Sequence, residues 1–181
     1  MIKLFISSVQ QEFKKERPEL AAYIRQDAVL GRFFEPFLFE ELPAKDISAQ
    51  QAYLDEVADT EVYLGLFGEI YGNEDAEGVS PTEREYEKAT QCHKYRVVLI
   101  KSVAKRESKE ANLIEKAEHD VVRKMFASAE ELKSAAYAAL VQYLIHKGYL
   151  HYGPFDAALH QEATLDDLDK NKIRWWVGMA R

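Results

Sequence analysis

The segment Val62-Tyr-Leu-Gly-Leu-Phe67 is an unbroken apolar run, and it restricts the folds open to the whole chain. A strand with one wet face alternates apolar and polar side chains, whereas a strand covered on both faces reads as continuous. Val62–Phe67 is therefore predicted as the central strand of a sheet with helices above and below it.

Shorter apolar segments flank it, with helical patterns between them. Lys3 to Ile6 and Pro36 to Phe39 precede it; Arg96 to Lys101 and Val121 to Phe126 follow. Ser8 with Gln11 has capping-box spacing and predicts a helix from Val9 to Gln26, kinked or split by Pro18; a loop through Gly31 follows. Ser48 with Gln51 opens a helix to Ala58. Ser80-Pro81-Thr82-Glu83 combines an N-cap serine, a first-turn proline and a third-position glutamate, and starts a helix to His93. Further helices are predicted from Ser108 to Glu118 and, capped by Ser128 with Glu131, to near Gly148. This alternation defines an α/β class: a doubly wound, mostly parallel sheet of four or five strands with helices on both faces and right-handed crossovers.

A chain of 181 residues supports one well-buried core. No apolar run approaches the roughly 20 residues of a membrane span. The N-terminus MIKLFISSVQQEF lacks the hydrophobic stretch of a secretory signal, and Cys92 is the single cysteine, so the expected compartment is the cytoplasm. The net charge of −7 opposes direct contact with nucleic acid. Residues 1–150 are expected to form the α/β domain. In 151–181, HYGPFD reads as a linker, and a helix from Thr164 carries Leu168, Trp175, Trp176 and Met179. No helix stop follows, so this end is expected to lead into a downstream module, with the tryptophan pair bridging to it or packing on the core.

In an open parallel sheet, ligands bind beyond the carboxyl ends of the strands. Those ends supply Ser7 and Ser8, the glycine-bearing stretch Gly65 to Gly72 with Gly68 and Tyr71, Ser80 at a helix start, and Lys101. The helix after Pro81 turns Thr82, Tyr86, Ala89 and His93 inward and Glu83, Arg84, Glu87, Lys88 and Gln91 outward, with Glu85 on the edge of the inward stripe. A carboxylate turned toward the sheet must be paired, hydrogen-bonded or protonated. Glu85 is thus a candidate general base or nucleophile; the alternative is a structural carboxylate bonded to Ser7, Ser8 or backbone amides. Lys101, Lys105 and Arg106 either meet a ligand phosphate or form a solvated basic loop. Asn73, Asp75, Glu77 and Gly78 imitate half of a calcium loop, but Arg84 stands where its last carboxylate belongs, and the histidines have no ligand spacing. No metal is expected.

The segments KLFISSVQQEF, YLGLFGEIYG and EGVSPTEREYEKA together resemble the domain-of-unknown-function family numbered 4062, over about residues 1 to 150. Its members commonly begin larger bacterial ATP-binding or regulatory proteins. The family in turn resembles the TIR and nucleoside deoxyribosyltransferase group, which implies a flavodoxin-like or TIR-like strand order 2-1-3-4-5. Phe5 to Ser7 match the first TIR strand; Tyr71 and Ser80 match residues before the third TIR helix. Catalytic TIR domains use a helix glutamate in NAD cleavage, and deoxyribosyltransferases use one as the nucleophile on the sugar; both point to Glu85. Pro81 and Thr82 replace the tryptophan and cysteine of the TIR pattern. Adaptor TIR domains keep the fold without activity.

The resemblance implies a TIR-like sensory or assembly module, binding a nucleotide-like ligand such as NAD, or like domains, through Ser7, Ser8, Gly68, Tyr71, Ser80, Thr82 and Lys101. It would relay that binding to a C-terminal effector module and could self-associate. The alternative is an N-glycosidase or transferase acting on NAD or a nucleoside, with Glu85 as the catalytic carboxylate.

Overall fold

A computed structural model describes residues 1–41, 46 and 48–151. The strands are β1 (Ile2–Ser8), β2 (Phe34–Phe37), β3 (Val62–Phe67), β4 (Tyr95–Lys101) and β5 (Arg123–Phe126). The helices are α1 (Glu16–Gln26), α2 (Leu30–Phe33), α3 (Ala49–Asp59), α4 (Pro81–Gln91), α5 (Ser108–Asp120) and α6 (Ala129–His146). All strand pairs are parallel, in the order β2-β1-β3-β4-β5. Every residue of β3 is buried, as its unbroken apolar run requires. The expected helix from Thr164 and its tryptophan pair lie outside the described residues.

The chain divides into a compact unit, Met1–Tyr143, and a second unit, Leu144–Arg181, of which residues 144–151 are described. In the first unit, Phe5, Tyr63, Phe67, Val98 and Ile100 point to one sheet face. There they form a core with Tyr53 and Val57 of α3, Tyr86 and Ala89 of α4, and Leu113, Ile114 and Ala117 of α5. The Tyr86 ring meets Tyr63 and Phe67 edge-on at centroid distances of 6.1 and 6.0 Å. The opposite face belongs to α1, with buried Leu20, Ala21 and Ile24, and to α6, whose Tyr143 ring lies 4.8 Å from that of Tyr95. In the second unit the helix stops at Gly148, whose φ of 73° suits glycine. Its N–H reaches the Ile145 carbonyl, and that of Tyr149 reaches Leu144.

Several local expectations are corrected. The first helix starts at Glu16 instead of Val9; residues 10–15 are turns. Pro18 is then in the first helical turn, where an N–H is not needed, and kinks nothing. Ser8 does not cap a helix: its hydroxyl accepts from Arg17. The loop through Gly31 contains the short α2; the amides of Val29, just before it, and of Leu30, its first residue, donate to Asp27 Oδ1. Strand β2 lies two residues earlier than expected, and a 3-10 turn, Phe39–Glu41, occupies the end of the apolar segment. His93 is exposed, not inward, because α4 ends at Gln91 and His93 takes the left-handed position of the terminating turn, at φ 52°.

The start of α4 follows its sequence signal. Ser80 accepts from the Glu83 amide at 3.2 Å, with Pro81 as the first helical residue. Ser80 is fully buried, so Ser80→Ala is expected to cost about 1 kcal/mol, measured by urea denaturation.

Candidate functional site

From β1 the chain moves to β2 on one side, and from β3 onward to the other. A doubly wound sheet opens a crevice at such a point, beyond the carboxyl ends of β1 and β3. A cleft of about 540 Å³ lies there, lined among others by Phe5, Val9, Arg17, Phe39, Tyr53, Ile70, Tyr71, Thr82, Glu85 and Glu107. Its walls come from β1, the segment after it, α1, α3 and the approach to α4.

Two neighbouring serines at the end of β1 point to opposite faces because strand side chains alternate. The Ser7 hydroxyl donates to Glu85 Oε2, which α4 brings to the sheet on the stripe Thr82, Glu85, Tyr86, Ala89. Ser8, on the other face, accepts from Arg17 Nη1 at 3.0 Å. Glu85 is only 8% exposed. Burial pushes its carboxyl up to about 7, against the Ser7 hydroxyl and the Arg17 charge, which favour ionisation; nearby Glu40 adds to the rise. Protonated and ionised forms therefore coexist near neutral pH. One side chain can thus serve as carboxylate or proton donor at a cleft wall.

Arg17 is 2% exposed and joins the end of β1 to the 3-10 turn after β2. Its Nε and Nη2 donate to the two oxygens of Glu40 at 3.0 and 2.7 Å. The Glu40 carboxyl is held below its ordinary value: burial opposes this, but the Arg17 hydrogen bond and charge prevail.

The connection after β3 carries the densest polar arrangement. Four successive amides each donate to a carboxylate: Gly68 to Glu110 Oε1 at 3.0 Å, Glu69 and Ile70 to Glu12, and Tyr71 to Glu107 at 2.8 Å. A Cβ on Gly68 would lie 2.1 Å from Glu12 Oε1, so glycine is required for this carboxylate to approach. Glu110 is buried, and its carboxyl is pushed up to about 8 by desolvation; the Gly68 amide and Arg106 oppose the rise, while Glu12 and Glu107 support it.

The remaining sequence candidates have the following places. Tyr71 and Thr82 line the cleft. Tyr71 donates to Glu83 at 2.5 Å and accepts from the Ser80 amide at 3.2 Å. Ser80 itself is the buried cap of α4. Gly68 serves the packing of Glu12 and does not line the cleft. Lys101 is also absent from its lining: it pairs with Glu16 at 2.9 Å and sits over the Phe13 ring. Arg106 braces the carbonyls of Gly68 and Lys101. In the acidic loop, Asp75 accepts from the Glu77 and Val79 amides and joins Glu77 in holding Arg84. Among the described residues no cluster of histidine, cysteine and carboxylate side chains could hold a metal, and no helix is long and apolar enough to cross a membrane.

Arg17, Glu12, Glu107 and Glu110 were not singled out by sequence reasoning. In VQQEFKKERPEL, charged residues crowd every helical face, so Glu12 and Arg17 look like their solvated neighbours. Pro18 was the available signal: a first-turn proline puts Arg17 at the start of a helix that faces the end of β1.

These features define a parallel α/β domain with a buried carboxylate at its switch-point cleft. A family model matches residues 3–141, and the chain belongs to that family, described as Domain of unknown function (DUF4062). No curated protein matches it. Among solved structures, the Clostridium botulinum CMP N-glycosidase BcmB is similar in fold, with 12% sequence identity and a TM-score of 0.51, covering 75% of this chain and 98% of that one.

Proposed function

We propose that this domain binds a nucleoside-type ligand in the cleft and cleaves its N-glycosidic bond, with Glu85 as the catalytic carboxylate. The observation that carries this reading is the buried, Ser7-oriented Glu85 on the wall of a cleft at the sheet's switch point. The fold likeness to a protein that is a CMP N-glycosidase supports it.

In the reaction, the ionised Glu85 attacks the anomeric carbon of the sugar, forming an ester bond to the enzyme. The carbon–nitrogen bond breaks, and the base leaves with its electron pair and takes up a proton from solvent. Water, or a second base in a transferase, then attacks the same carbon and releases the carboxylate. Ser7 acts as a positioning residue, since its hydroxyl touches Glu85 and not the substrate carbon. Aromatic side chains of Phe39, Tyr53 and Tyr71 are suited to stack on a base or sugar.

A second reading is a TIR-like sensory or assembly module that holds a nucleotide-like ligand such as NAD, or like domains, and passes the event to a C-terminal effector. It is favoured by the presence of the separate unit Leu144–Arg181 after the unit that contains the cleft. Incubating the chain with NAD and a panel of nucleosides, wild type beside Glu85→Gln, separates the two. Release of free base by the wild type alone supports cleavage. Binding by calorimetry without any base release leaves the sensory reading in its place.

A further inference from the structure

Backbone N–H groups at the carboxyl rim of a central parallel strand are where this kind of sheet receives phosphate. In this chain those of Gly68, Glu69, Ile70 and Tyr71 are all taken by the protein's own carboxylates, Glu110, Glu12 and Glu107. Glu12 occupies the space against Gly68 that a Cβ would fill, which is the close approach a phosphate oxygen would otherwise use. The glycine serves an internal acid instead of a ligand.

The charge of the cleft has the same sense. Glu85 and Glu107 line it, and Arg17, the basic side chain among its described lining residues, is already held through two nitrogens by Glu40 and through the third by Ser8. Of the cations near the rim, Lys101 is engaged by Glu16 and Arg106 by the carbonyls of Gly68 and Lys101. A phosphate entering here would have to evict a carboxylate from the amides or Glu40 from Arg17. It would then remain beside Glu107, a like charge that repels it.

We propose that Glu12 and Glu107, which take the amides of the cleft-lining Ile70 and Tyr71, are specificity-determining residues that stand in for phosphate at the rim of β3, so that the cleft selects unphosphorylated nucleosides over nucleotides. The inference rests on the N-glycosidic reading above and narrows its substrate class. It also separates this chain from BcmB, which is a CMP N-glycosidase.

Isothermal titration of the 181-residue chain with adenosine, guanosine, cytidine and uridine, each beside its own 5′-monophosphate, tests this. The best nucleoside is expected to bind roughly tenfold or more tightly than its monophosphate, and added salt should narrow the gap by screening the repulsion. In Glu12→Gln the monophosphate should gain affinity and the ratio should fall. A wild-type chain that binds a monophosphate as tightly as its nucleoside overturns the proposal, whether or not the variant folds. If that monophosphate is also cleaved in a Glu85-dependent way, the N-glycosidic reading survives and only the selectivity fails. If no nucleoside or monophosphate binds, both fall.

Discussion

Glu85→Gln is expected to abolish base release while making the domain more stable at alkaline pH. Loss of a nucleophilic carboxylate should lower turnover by roughly a thousandfold or more, because the amide cannot form the ester. The stability change follows from the same burial. Burial pushes the Glu85 carboxyl up to about 7 in the folded chain from its ordinary value of 4.5, so between those values the folded state binds the proton more tightly than the unfolded state. Its contribution to stability is full below the lower value, falls as the pH rises toward the upper one, and is constant above it. Glutamine imitates the protonated form at every pH. The variant should therefore match wild type near pH 4.5 and exceed it at pH 8 by on the order of 3 kcal/mol. Urea denaturation across that range measures the difference. Equal stability at both ends would show that the carboxylate is solvated. A variant that gains stability and loses turnover has the signature of a strained functional residue.

Arg17→Met has the second largest expected effect. Methionine fills much of the same volume, but the Ser8 hydroxyl loses its donor and Glu40 loses both of its hydrogen bonds. Glu40 can turn to water because its side chain is 42% exposed, so the cost should fall below that of stranding a fully buried acid. About 2 kcal/mol is expected. A second readout separates electrostatics from packing. The Arg17 charge favours ionised Glu85, so its removal should raise that carboxyl further, shifting the alkaline end of the pH-dependent stability loss upward. An unchanged profile would mean that Arg17 is a packing residue only.

The sheet was readable because its signal is local. Val62–Phe67 declares burial on both faces by composition, and Ser80-Pro81 declares a helix start through groups only three residues apart. The first helix was misplaced because Ser8 with Gln11 has capping-box spacing, whereas the Ser8 hydroxyl is taken by Arg17, and VQQEFKKERPEL, with charge on every face, has no stripe to correct the start. Six residues of turn, 10–15, separate β1 from α1, and the helix begins where Arg17 can reach Ser8. In the same way, Lys101 reads as a free cation at a strand end until Glu16 is brought beside it across a long sequence separation.

Glu85 shows the division within one residue. Its place on the edge of the inward stripe of α4 follows from helical spacing, but its partner Ser7 is 78 residues away and becomes a neighbour only when β1 and α4 pack. The family could be recognised from contiguous motifs, whereas the amide–carboxylate arrangement after β3 could not. Glu12, from the turns between β1 and α1, and Glu107 and Glu110, from the start of α5, meet on four amides of a third segment. Sequence alone determined the α/β class, the buried central strand and the capped helix that carries Glu85, because hydrophobic period and capping act between near neighbours. Tertiary structure decided which charges are paired, which acid holds its proton near neutrality and where the cleft lies, because desolvation and Coulomb interaction depend on distances through space.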